Sequence, residues 1–139
     1  MARIMAFDYG EKRTGIAVSD PLQMIAVSLA TVTTDAVLDF VKKYCAAENV
    51  EAFVVGVPHN NVQRDNPVAR EVEKFIAALQ RSFPDKPVHR IDERFTSSIA
   101  RQTVLQSGIR KKERRRKEHL DVIAANLILQ TYLEKKSGR

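Results

Sequence analysis

Three acidic positions, far apart in the chain, could do chemistry together. Asp8 follows Ile4 and Ala6 at the two-residue period of a strand and so continues an apolar face, while Met5 and Phe7 take the other face. A carboxylate there is costly unless it reaches the strand end, is paired or binds a metal. Accepting hydrogen bonds from a turn at Gly10 is the plain structural role open to it. Asp92 and Glu93, in the run Asp92-Glu93-Arg94, close a later strand just before a helix. Ligands usually bind at the carboxyl ends of strands in open α/β sheets, although such acids also favour a helix N-terminus. Asp121 stands in the first turn of the last helix, where an acid complements the helix dipole. The small Ala124 and Ala125 that follow would let this helix approach the sheet closely and bring Asp121 near the strand ends. Acids gathered in this way hold a hard divalent cation, Mg²⁺ or Mn²⁺, through oxygen ligands. A pair of such ions about 3.5–4 Å apart would orient and deprotonate an attacking water and stabilise the leaving oxygen.

Other chemistries find less support. There is no serine–histidine or cysteine–histidine arrangement, and His59, His89 and His119 lack the spacing of a zinc site. All three read as surface or loop residues, with His59 the exception to weigh because it follows a strand end. The single cysteine, Cys45, lies on the apolar face of a helix and reads as a small core residue. With no internal disulfide, no signal-peptide pattern and no apolar run able to span a bilayer, a reducing cytoplasm is the expected location. The formal net charge of +6 favours an anionic partner. Much of that excess is local: Arg110, Lys111, Lys112, Arg114, Arg115, Arg116 and Lys117 are interrupted only by Glu113. Such a run is either a solvated loop or a phosphate-contacting element whose affinity falls steeply with salt. No aromatic residues interleave with it, so it offers no base stacking.

The elements that must position these residues follow from periodicity. Residues 3–9 and 15–19 read as strands joined by a turn containing Gly10, and 28–33 as a third, rich in β-branched residues. A helix is expected over 35–48, with Val37, Phe40, Val41, Tyr44 and Cys45 on one face. The near-continuous apolar run 51–58, stopped by Pro58, reads as a strand covered on both faces. A polar loop through Asn60, Asn61, Asp65 and Asn66 leads to a helix with Val68, Val72, Phe75, Ile76 and Leu79 on its stripe. A strand over 88–92 follows, then a helix capped by Thr96 and ending near Gly108. The last helix is expected over 118–134 with Leu120, Ile123, Ala124, Leu127 and Leu133 inside. No internal repeat or linker divides the chain, so its 139 residues read as one α/β domain. The order β-β-β-α-β-α-β-α-α implies a five-stranded mixed sheet, three antiparallel strands and then two parallel ones, with helices on both faces. That is the arrangement of the RNase H-like fold. A flavodoxin-like sheet would need a helix between the first two strands, and none fits there.

Four segments, AFDYGEKRTGIAVSD (6–20), VVGVPHN (54–60), IDERFTS (91–97) and LDVIAANLILQTYL (120–133), occur in this order along the chain. In them the sequence resembles the YqgF family of pre-16S rRNA nucleases, also described as Holliday junction resolvase-like proteins. The resemblance implies an RNase H-like fold and metal-dependent endonuclease activity toward pre-16S rRNA or branched DNA, by a monomer or a homodimer. Carried over by motif, the acids that would be catalytic and bind the metal are Asp8, Glu93 and Asp121. Lys12, Arg13 and Arg94 match basic positions that could contact phosphate, as could Arg114, Arg115 and Arg116 of the basic run. Asp20, which closes the first motif, is expected to be structural. The chain departs from the family after VGVP, where HNNVQRDNP replaces an asparagine-methionine-aspartate-glycine stretch, and before Asp121, where KKERRRKEH lacks the common lysine-glycine pair.

Two other readings use the same residues. DYGEKRTGIAVSD also looks like the phosphate-binding hairpin of the actin and Hsp70 ATPases, but those proteins close a second domain over the nucleotide and this chain has no room for one. A nucleic-acid-binding or ribosome-assembly module with little catalysis would need the basic run and not the acids.

Overall fold

The computed structural model describes residues 2–58, 67–92 and 117–136, with the side chains of the last helix described from Ile123 onward. The sheet is built from β1 (Arg3–Asp8), β2 (Arg13–Ser19), β3 (Ala26–Thr33), β4 (Val50–Val57) and β5 (Val88–Asp92). Its spatial order is β3-β2-β1-β4-β5. β1 pairs antiparallel with β2, ending at Asp8 opposite Gly15, and β2 pairs antiparallel with β3. β4 lies parallel to β1, and β5 parallel to β4. Three antiparallel strands followed by two parallel ones is the expected arrangement. The carboxyl ends of β1, β4 and β5 therefore share one edge of the sheet, with β1 central.

The helices are α1 (Val37–Ala47), entered through a 3₁₀ turn at Thr34–Ala36, α2 (Pro67–Ser82) and α3 (Lys117–Lys136). The two faces of the sheet carry different sizes of side chain. Toward α1 and α2 point Met5, Phe7, Ile16, Phe53 and Val55, packed on Val37, Val41, Val72, Phe75, Ile76 and Leu79. Phe7 is the hub of this layer, with its ring 5.8 Å from Phe53 and edge-on to Phe75 at 5.3 Å. Toward α3 point Ile4, Ala6, Ala17, Ala52, Val54 and Ile91, met by Ala125, Ile128, Leu129 and Leu133. Alanines on both sides of that contact let α3 lie close to the sheet.

Polar contacts of its middle and last turns fix where α3 crosses the sheet. Asn126 Nδ2 donates to the Ala26 carbonyl at 3.2 Å and lies 3.3 Å from Ser28 Oγ. Lys136 Nζ donates to Gln23 Oε1 at 2.6 Å and faces Glu51 at 3.9 Å. Ala26 and Glu51 both belong to the edge where β1 and β4 begin, and Tyr132 meets His89 of β5, so this part of α3 crosses the strands from β3 toward β4 and β5.

Three expectations need adjusting. Val68 is 55% exposed, so the buried stripe of α2 begins at Val72. Periodicity gives a side chain's direction, whereas burial needs an apolar neighbour opposite, and the first turn of α2 lies outside the buried layer. In α3 the fully buried set is Ala125, Leu127, Ile128 and Leu129, while Ile123 and Ala124 are half-buried. Apolar residues surround VIAANLIL, so no single stripe stood out. β3 begins at Ala26 and β2 at Arg13, both two residues earlier than their apolar patterns start. The helix expected between Thr96 and Gly108, the loop through Asn60 and Asp65, and Leu120's burial lie outside the described residues.

Candidate active site

Asp8 is the last residue of β1 and is half-buried, above a column of fully buried Ile4 and Ala6. Strand alternation puts it on the α3 face, as expected from the sequence. It stands at the rim of an apolar layer, so its carboxylate reaches solvent without being forced into the core.

The β1–β4 register sets Phe7 against Val55, which brings Asp8 level with Gly56. The β4–β5 register sets Gly56 against Ile91. Asp8, Gly56 and Ile91 thus form a row across three strands on the α3 face, spanning roughly 10 Å at ordinary strand spacing. Gly56 projects no side chain into that row. In the sequence Gly56 is one more residue of an apolar strand; the register shows that it stands beside Asp8.

The same alternation separates Asp92 from Asp8. Ile91 packs in the α3-side layer, and Val57, paired with Asp92, packs in the opposite one. Asp92 therefore falls on the α2 side, with Arg90, whose guanidinium binds Glu73 of α2 through two hydrogen bonds of 2.7 and 3.0 Å. These bonds hold the Glu73 carboxyl below its ordinary range and the Arg90 guanidinium above it. Glu93, Arg94, Arg114, Arg115 and Arg116 lie outside the described residues, and Asp121 is placed by its backbone alone, in the second turn of α3. Among the described residues no three acids, histidines or cysteines gather as a metal site.

The turn after Asp8 is tightly specified. An added Cβ on Gly10 would sit 2.3 Å from the Arg13 carbonyl oxygen, a distance no side chain tolerates. Lys12 is exposed on this turn, and Arg13, half-buried, opens β2 opposite Thr33. Tyr9 leans on Phe75 at 5.2 Å, and burial, then Glu71, Glu11 and Asp35, push its hydroxyl pKa up.

Asp20 has the structural role expected of it. Its carboxylate accepts the backbone N–H groups of Leu22, Met24 and Ile25 at 3.1, 2.8 and 2.8 Å, closing the β2–β3 loop. These bonds, Ile25's foremost, hold its pKa below the ordinary carboxyl value. The loop also contains Gln23, whose φ of 59° is left-handed. A cleft between this loop and the last turns of α3, lined by Met24, Ile25, Leu133 and Glu134, lies at the edge of the sheet opposite Asp8. His89 is exposed on β5 and its ring lies 5.1 Å from Tyr132.

Sheet order, strand directions and the helix crossing the Asp8 face together define the RNase H-like fold. The chain is similar over 99% of its length to 97% of the chain in a structure of Thermus thermophilus RuvC in complex with a Holliday junction substrate, with a TM-score of 0.63 and 16% identity. A second Thermus thermophilus RuvC structure matches with a TM-score of 0.52, over 98% of this chain and 96% of that one. The model of the RuvX family, described as Holliday junction resolvase, matches residues 2–135, and the chain belongs to that family. Its sequence is 49% identical to a candidate pre-16S rRNA nuclease of Bacteroides thetaiotaomicron, over 98% of this chain and 99% of the relative. Proteins of the same description from Amoebophilus asiaticus and Flavobacterium johnsoniae are 47% and 46% identical, over 96% and 98% of this chain and 94% and 99% of their own.

Proposed function

We propose that this nuclease is a metal-dependent endonuclease that hydrolyses a phosphodiester of precursor 16S rRNA, with Asp8, Glu93 and Asp121 as its catalytic, metal-holding acids and Mg²⁺ or Mn²⁺ as the ion. The observation that carries the reading is the placement of Asp8: a carboxylate at the carboxyl end of the central strand, on the face that α3 crosses, level with Gly56. An all-oxygen donor at the rim of an apolar layer fits a hard divalent cation.

Topology supports the two other acids. With Asp92 on the α2 side, the residue next in sequence is the one a strand period returns to the Asp8 face, which favours Glu93 over Asp92. For Asp121 the support comes from α3. Ser28, beside Asn126, pairs with Ala17, and Ala17 pairs with Ala6. Asp121 lies on the helix that packs over the face Asp8 continues, which supports assigning it to the same site.

The bound ion would supply charge neutralisation at the phosphate and lower the pKa of a coordinated water. The chain's own part is to hold the acids and the phosphate backbone in register. Lys12 and Arg13, on the turn that follows Asp8, are assigned to phosphate contact, as are Arg94 and the basic run with Arg114, Arg115 and Arg116. The rRNA substrate is preferred because relatives near half identical over the full chain carry that description. One cut at one RNA end needs one site and a monomer, acting in the cytoplasm. Junction resolution needs two cuts and so a homodimer.

A cleavage panel tests this: a pre-16S rRNA 5′ leader, single-stranded RNA, duplex DNA and a four-way DNA junction, each with Mg²⁺, Mn²⁺ or EDTA. Cleavage of the leader with metal and none in EDTA is expected. Cleavage of the junction alone would transfer the assignment to branched DNA, and no cleavage of any substrate would overturn catalysis.

A further inference from the structure

The turn that follows Asp8 is not closed by its own two strands. The β1–β2 ladder ends at Asp8 and Gly15, and Arg13 and Thr14 pair only outward, with Thr33 and Val32 of β3. Tyr9 leans on Phe75, and the Gly10 and Lys12 carbonyls are held by the next residue of the chain beyond β3. Thr34 donates its backbone N–H to the Lys12 carbonyl at 3.0 Å and its hydroxyl to the Gly10 carbonyl at 2.6 Å. The two bonds grip the turn on either side of Glu11. A third interaction fixes the hydroxyl itself: Thr34 Oγ1 lies 3.0 Å from Thr14 Oγ1. A hydroxyl has one proton, and Thr34 has given its own to Gly10, so Thr14 is the donor. Thr14 is fully buried and has no water to turn to, which locks the relay Thr14 to Thr34 to Gly10 in one direction. The turn is close-packed at this point, since a side chain on Gly10 would run into the Arg13 carbonyl.

From this geometry we infer that Thr34 is a positioning residue for nucleic-acid binding: it holds the 9–12 turn in the shape that presents Lys12 to a phosphate. The inference rests on the assignment of Lys12 to phosphate contact. Among the described residues, this clamp and the chain neighbours are what fix the Lys12 backbone. A long exposed side chain binds more weakly when its base must be ordered during binding.

Affinity for a fluorescein-labelled pre-16S 5′-leader RNA, measured with Ca²⁺ replacing Mg²⁺ across a salt series, separates positioning from mere support. Thr34→Val keeps the shape and removes the hydroxyl, and should weaken binding about three- to tenfold. Thr34→Ser restores the donor and should stay within about twofold of the parent. Thr34→Ala, which opens the Gly10 carbonyl to water, gives the same comparison if the valine variant does not fold. Lys12→Ala should weaken binding and flatten the salt slope, and Thr34→Val added to it should cost nothing further. Unchanged binding in Thr34→Val, equal loss in Thr34→Ser, or effects that multiply in the double variant would each overturn the inference. Parental affinity and salt slope in Lys12→Ala would overturn the phosphate assignment instead, and the inference with it.

Discussion

Two aspartates in one fifteen-residue motif have opposite tasks. Asp20 spends its carboxylate on three backbone N–H groups of its own loop, whereas Asp8 ends the central strand on the face that α3 crosses. The pKa of Asp20 is lowered on folding, so its contribution to stability is complete well above the ordinary carboxyl value of 3.8 and is lost as pH falls through the lowered folded value. Asp20→Ala should therefore lower Tm at pH 7, and the gap to the parent should close as pH drops below about 4, as thermal melts across pH would show. A gap that persists undiminished at pH 2 would mean that the carboxylate is not the stabilising group. The alternation that places Asp8 was legible in the sequence, since Ile4 and Ala6 against Met5 and Phe7 leave one choice of face. The separation of Asp92 from Asp8 was not, because adjacent acids differ only once the strand's register and end are known. Thr34 was also hidden: its partners Gly10, Lys12 and Thr14 are 20 or more residues away in sequence, and nothing local marks a threonine at a strand exit as a clamp.

At the scale of elements, α3 connects the fold to the site. Its closeness to the sheet depends on alanines, with Ala125 against a face that includes Ala6, Ala17 and Ala52. Ala125→Leu should cost about 1–3 kcal/mol in denaturant unfolding, since the extra carbons have no void to enter. It should also depress cleavage beyond what the stability loss explains, by moving Asp121's helix away from β1. Full activity in a folded Ala125→Leu variant would detach that helix from the chemistry. The strands and the order of elements were readable because their periods are distinct, and the opposite layer of Phe7, Phe53 and Phe75 announces itself by size. The facing of α3 was less readable, because a helix apolar on most sides leaves its contact stripe to the sheet beneath it. Val68 shows the complementary limit, as a residue on the right stripe but outside the layer that would bury it.

For the molecule as a whole, charge and topology divide the work. The net charge of +6 favours an anionic partner, while the proposed site assigns the cutting acids to the carboxyl-end edge of the sheet, where Asp8 stands. Reversing Arg114, Arg115 and Arg116 to glutamate should weaken RNA binding and reduce the salt slope by roughly 0.7–0.9 for each phosphate that is no longer neutralised. An unchanged slope would make the basic run a bystander. In the proposed site Asp8 carries the cleavage chemistry first, and Asp8→Asn tests that proposal most directly because it keeps the shape and removes the charge. With Mg²⁺ or Mn²⁺ and the 5′-leader RNA, cleavage should fall by at least about a hundredfold while RNA affinity in Ca²⁺ stays near that of the parent. Parental cleavage rates in Asp8→Asn would contradict the site.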